Sequence, residues 1–113
     1  ISLHCPLSEA TKHLINRERL ARAKNSLLLV NCARGGVIDE VAALEALRSG
    51  KLGGLGVDVL PAEPHRDGHP LLDALSEPLN LIVTPHNAWI TPEARQNIVS
   101  LTANNILEWK GAQ

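Results

Sequence analysis

Four apolar residues in succession, Leu27-Leu28-Leu29-Val30, interrupt an otherwise mixed stretch of polar and apolar positions. A short run without alternation predicts a strand buried on both faces, as in a parallel sheet. The run breaks at Asn31-Cys32-Ala33-Arg34-Gly35-Gly36. Asp39 then reads as a helix N-cap. Val41, Leu44 and Leu47 follow at helical spacing, Ala42, Ala43 and Ala46 add propensity, and Gly50 stands where a left-handed C-terminal cap belongs. Before the run, Ile1-Ser2-Leu3-His4-Cys5 alternates like the tail of a strand, and Pro6 stops it. Ser8 to Thr11 suits a short helical turn. Asn16 caps a predicted helix from Arg17 to Lys24 with Leu20, Ala21 and Ala23 as its apolar content.

Further along, Gly53-Gly54-Leu55-Gly56-Val57-Asp58-Val59 predicts another strand, with Asp58 near its end. Leu60 to Asn80 is a long irregular stretch carrying four prolines and one short helix around Leu71 to Leu75. Leu81-Ile82-Val83 predicts a last strand, stopped at Thr84-Pro85. Thr91, Pro92 and Glu93 together start a helix that runs to about Lys110. Its apolar face includes Ile98, Leu101, Ile106 and Trp109. Strands alternating with helices predict an α/β fold with a parallel sheet and right-handed crossovers.

Composition narrows the partners. The 113 residues make one modest domain, with 11 Lys and Arg against 12 Asp and Glu. Without a basic block, no nucleic acid and no membrane surface is expected as partner, and no run has membrane-spanning length. Cys5 and Cys32 lack partners at metal-ligand spacing and fit a reducing cytoplasm. The histidines show no paired helical spacing, so no metal is expected. Aromatic residues are limited to Trp89 and Trp109, which leaves the core to Leu, Val, Ile and Ala. The chain starts at Ile1 and contains no Met, so it is expected to begin inside a longer protein or to have been processed.

Candidate chemistry gathers where the strands end. In an open α/β sheet, ligands bind beyond the C-terminal ends of the strands. Those ends carry His4-Cys5-Pro6, Cys32-Ala33-Arg34, Asp58 with Glu63 beyond it, and Thr84-Pro85-His86. Parallel strands bring Arg34, Asp58, Glu63 and His86 to one crevice. An arginine fork matches a carboxylate, and a carboxylate beside a histidine orients the ring and stabilises its protonated form. Together they suit a 2-oxo or 2-hydroxy acid, held by Arg34, with His86 moving the hydroxyl proton and Glu63 supporting it. That chemistry needs a hydride acceptor, so a nicotinamide cofactor is implied. Singly, each residue has a plainer reading: Arg34 on a crossover loop, His86 and Glu63 as surface loop residues, Asp58 as a turn cap. Cys32 reads better as a small strand-end residue than as a nucleophile. His4, His13, His65 and His69 are left without a role.

At these residues the chain resembles the D-isomer-specific 2-hydroxyacid dehydrogenase family. The resemblance rests on His4-Cys5-Pro6-Leu7-Ser8 with Thr11, on Leu29 through Asp39, on Leu55-Gly56-Val57-Asp58-Val59 with Glu63-Pro64, and on Thr84-Pro85-His86. It implies Arg34 as the substrate-binding and catalytic arginine, Glu63 as the partner of the histidine, and His86 as the acid/base. It also implies NAD or NADP contacts at Cys5, Pro6, Thr11, Cys32, Ala33 and Asp58, with Asp58 facing the nicotinamide end. Asn87-Ala88-Trp89 after the histidine looks like some hydroxypyruvate reductase-type members. The G-x-G-x-x-G fingerprint is missing from these residues. The resemblance therefore implies that it lies upstream of Ile1. On this reading residues 1–113 are the C-terminal half of a truncated, Rossmann-type doubly wound dinucleotide-binding domain. Residues 91–113 are then the helix returning toward a substrate domain, and the isolated chain is expected to be inactive. The edge and apolar surface left by such a cut predict a homo-oligomer. Some relatives instead act as NAD-sensing corepressors, so a protein-binding module is the alternative.

Overall fold

The computed structural model describes residues 1–64 and 67–111; His65 lies outside them. Four strands, β1 (Ser2–Leu3), β2 (Leu28–Asn31), β3 (Gly54–Val57) and β4 (Leu81–Val83), pair in parallel in the order β1-β2-β3-β4. Helices α1 (Arg17–Arg22), α2 (Glu40–Arg48), α3 (Pro70–Asp73) and α4 (Pro92–Gly111) follow them in alternation. The α/β parallel sheet expected from the sequence is therefore present.

The helix boundaries follow local chemistry. The Asn16 side chain accepts from the Arg19 N–H at 3.0 Å, and Asp39 does the same for Ala42 at 3.0 Å. Helix α2 ends in a Schellman turn: Gly50 has φ +72°, its N–H reaches Leu47 O at 3.1 Å, and that of Lys51 reaches Ala46 O at 2.8 Å. Helix α1 stops at Arg22, two residues before the predicted Lys24. The short helix expected near Leu71 is α3 followed by a 3-10 turn, Ala74–Ser76.

One expectation fails. Strand β2 is buried on one face only: Leu29 is covered, whereas Leu28 is 56% and Val30 40% exposed. Val30 lies level with Gly56, which lies level with the exposed Ile82 of β4. The strand order follows the chain order, so crossovers of a single hand all fall on one face. Leu20 of α1, Ala43 and Leu47 of α2 and Leu71 of α3 pack there against Leu29 and Leu55. Helix α4 buries no residue among those described, and Ile98, Leu101, Ile106 and Trp109 are exposed along it. Among the described residues no helix is long and apolar enough to cross a membrane.

The covered face holds a buried His69–Glu40 pair. His69 caps α3, its Nδ1 accepting the Leu71 N–H at 3.2 Å, so Nε2 carries the ring proton and donates to Glu40 Oε2 at 2.8 Å. Burial, and then the nearby Asp39 charge, push the Glu40 carboxyl up to about 8 from its ordinary 4.5. The folded state then holds a proton that the unfolded chain has lost over that interval. Stability contributed by Glu40 is full below pH 4.5 and is lost as pH rises toward about 8. Urea unfolding midpoints should fall across this window and lose that part of the slope in Glu40→Gln. An unchanged slope in the variant would contradict the assignment.

Candidate active site

Strand β4 ends at Val83, level with Val57 of β3, so Thr84 and His86 leave the sheet beside Asp58. The Asp58 carboxylate is buried, with 4% of the residue exposed. Its Oδ1 accepts from the Thr84 hydroxyl at 2.5 Å and the Asn87 N–H at 3.0 Å, and its Oδ2 from the Ala88 N–H at 2.9 Å. Burial by itself would raise this carboxyl. The bonds from Thr84, Asn87 and Ala88, with the charge of His86, outweigh it and hold the group below the usual carboxylate range. One ionised side chain thus folds the turn between β4 and α4.

That turn holds His86 at φ +52°, a left-handed conformation that a non-glycine residue keeps only when its surroundings fix it. The His86 N–H reaches Thr84 O at 3.0 Å, and the Trp89 indole donates to His86 O at 2.8 Å. Neither Thr84 nor Trp89 stood out in the sequence as a support. The -T-P-H-N-A-W- spacing carries the signal, because an indole three residues on can reach back to the carbonyl.

The His86 ring meets Glu63 across the crevice, Nδ1 to Oε2, at 2.5 Å. An ionised carboxylate only accepts, so Nδ1 carries the proton and Nε2 is left as the ring's second nitrogen. Glu63 Oε1 accepts the Leu60 N–H at 2.7 Å, which braces it from behind. Both side chains line a cavity of about 600 Å³ whose walls include Leu60, Leu72, Val83 and Pro85. The cavity is apolar with one acid–base pair at its rim, as small-molecule sites commonly are.

Arg34 stands apart from this pair. It is exposed at the end of β2, and its guanidinium donates to Ala33 O at 2.7 Å, leaving donors of the fork for an anion. It forms no ion pair among the described residues. Gly35 begins a 3-10 turn, Gly35–Val37, that lies against the backbone of Leu60 and Pro61. A Cβ there would sit 2.2 Å from the Leu60 carbonyl carbon, so only glycine allows the contact. The remaining candidates occupy the neighbouring strand ends. Half-buried Cys5 and exposed Pro6 follow β1, and exposed Cys32 and half-buried Ala33 follow β2. Thr11 donates to Pro6 O at 2.6 Å and accepts the Ser8 N–H at 2.8 Å, closing the loop after β1. Among the described residues no group of His, Cys, Asp and Glu gathers as a metal site.

Comparison with known proteins bears on this arrangement. The profile of the D-isomer specific 2-hydroxyacid dehydrogenase, NAD binding domain, matches residues 1–88. Glycerate dehydrogenase of Methylorubrum extorquens is 47% identical over 106 residues, covering 94% of this chain and 33% of that protein. D-lactate dehydrogenase with NAD+ from Lactobacillus jensenii superposes with a TM-score of 0.86 at 29% identity, over 100% of this chain and 37% of the other. A D-isomer specific 2-hydroxyacid dehydrogenase from Xanthobacter autotrophicus in complex with NADPH gives 0.65 at 40% identity, over 75% and 26%. The chain spans about a third of the length of the curated relatives it matches.

Asp58→Asn replaces an acceptor with a donor facing N–H or O–H groups. It should cost about 1–3 kcal/mol in chemical unfolding and loosen the His86 turn. Unfolding free energies within error of the unsubstituted protein would contradict the bracing role.

Proposed function

Because the chain belongs to the D-isomer specific 2-hydroxyacid dehydrogenase family, we propose that the full-length protein transfers a hydride between NAD(P) and a small 2-hydroxy or 2-oxo acid. Glyoxylate and hydroxypyruvate are the first substrates to try. The observation that carries this reading is the Glu63–His86 pair, closed through Nδ1 at 2.5 Å with Nε2 remaining for a reacting oxygen.

In this reading His86 gives its Nε2 proton to the 2-oxo oxygen during reduction and takes it from the hydroxyl during oxidation. Glu63 stays ionised, fixes the ring and offsets the charge that develops on it. Arg34 clamps the acid's carboxylate. Strands β2 and β4 are two spacings apart, roughly 10 Å. An arginine side chain and a three-carbon acid together fill such a gap. Asp58 holds the turn that carries His86. When bound, NAD(P) supplies the hydride acceptor or donor that no side chain can. Small side chains on accessible backbone suit a flat ring and its ribose. Cys5, Pro6 and Thr11 after β1, and Cys32 and Ala33 after β2, meet that requirement, and we assign the cofactor contacts to them and to Asp58. These 113 residues hold no G-x-G-x-x-G. On their own they should bind NAD weakly and turn nothing over. In the same reading residues 91–113 form the link to a substrate domain. The bare apolar residues of β2, β4 and α4 favour a homo-oligomer, and the two free cysteines suit a reducing cytoplasm.

In the full-length protein, His86→Ala should lower kcat for glyoxylate or hydroxypyruvate by roughly 10²–10⁴-fold, read as consumption of reduced nicotinamide. Arg34→Ala should mainly raise KM for the acid. Unchanged turnover in the first, or unchanged KM and kcat in the second, would overturn the assigned roles. Calorimetry on the 113-residue chain alone should find weak or absent NAD binding, and micromolar affinity would contradict this.

A further inference from the structure

Asn31 is the last residue of β2 and its side chain is fully buried on the covered face of the sheet. In register it lies between Leu3 of β1 and Val57 of β3, two apolar neighbours. An apolar residue would bury there without cost, whereas an amide brings two donors and an acceptor that need partners. Both partners lie in the turn that the strand runs into. Oδ1 accepts the Ala33 N–H at 3.0 Å, and Nδ2 donates to Arg34 O at 2.9 Å. The amide is therefore a cross-brace that closes the backbone of residues 31 to 34 on itself.

The far side of the turn is fixed as well. Gly35 lies against Leu60 and Pro61 so closely that a Cβ would meet their backbone at 2.2 and 2.3 Å. Leu60 N–H in turn holds Glu63, which holds His86. Among the described residues the Arg34 side chain makes one hydrogen bond, to the neighbouring Ala33 carbonyl. Where its guanidinium points depends on where the braced backbone places its Cα. We propose that Asn31 is a positioning residue that sets Arg34 relative to the Glu63–His86 pair, and so sets the grip on the substrate carboxylate. This rests on the reading of Arg34 as the residue that holds the acid.

The test uses Asn31→Asp and Asn31→Ser in the full-length protein. Aspartate keeps the shape and the acceptor for Ala33 but puts an oxygen against Arg34 O. Serine keeps a polar group that is too short to reach Arg34 O. Both should raise KM for glyoxylate or hydroxypyruvate by about tenfold, the equivalent of one lost buried bond. Neither should add to the effect of Arg34→Ala. Amide hydrogen exchange at Arg34 and Gly35 should quicken in both. If the Asn31→Asp variant fails to fold, the serine variant carries the comparison. An unchanged KM for the acid while exchange at the turn quickens would overturn the proposal. So would a loss in KM for the acid that multiplies with that of Arg34→Ala. If the unsubstituted protein reduces no 2-oxo acid, the reading of the site fails separately. Calorimetric oxalate affinity then decides Asn31: weaker binding in the variants supports the proposal, and equal or absent binding overturns it.

Discussion

Parallel pairing brings Asn31, Val57 and Val83 level across β2, β3 and β4. The residues that follow each of them leave the sheet along one edge. Arg34 follows the end of β2, Asp58 and Glu63 that of β3, and His86 that of β4, along one edge, because the three strands run the same way and in this register. A slip of one residue in β4 would turn Leu81 and Val83 out of the core and carry His86 away from Glu63. The backbone ladder is therefore the first requirement of the Glu63–His86 contact.

The ladder fixes the strand ends but not the turns beyond them. These are held by buried polar groups, each with its partners in the turn it serves. Asp58 collects Thr84, Asn87 and Ala88. Asn31 collects Ala33 and Arg34. Such groups are costly when unpaired and strongly orienting when satisfied. Glu40 is the exception among them. Among the described residues its Oε1 is buried without a partner, which agrees with its carboxyl being pushed up by burial. The side chains proposed to react, Arg34, Glu63 and His86, are by contrast exposed.

Much of this was legible in the residues themselves. Asn16, Asp39, Gly50 and Pro92 act through local backbone chemistry, so their sequence positions alone place the helix ends. The strand-end residues could be gathered because parallel topology follows from the alternation of elements. The covered and open faces of β2 could not be read from the run Leu27 to Val30. An apolar run states what a strand tolerates on both faces, while crossover handedness decides which face its own helices cover. Asp58 illustrates the same limit. Its sequence position marks a strand end, but its partners lie 26 to 30 residues away and depend on the fold. The Trp89 bond to His86 likewise needs the left-handed turn that the sequence does not announce.

In the proposed reaction Glu63 acts through the His86 ring. The most direct test is a double-mutant cycle on kcat for glyoxylate reduction by the full-length protein, using Glu63→Gln, His86→Ala and the pair together. Glu63→Gln should cost at least about tenfold with His86 present and almost nothing once His86 is gone. Losses that multiply in the double variant would contradict it, because Glu63 would then contribute independently of the ring it touches.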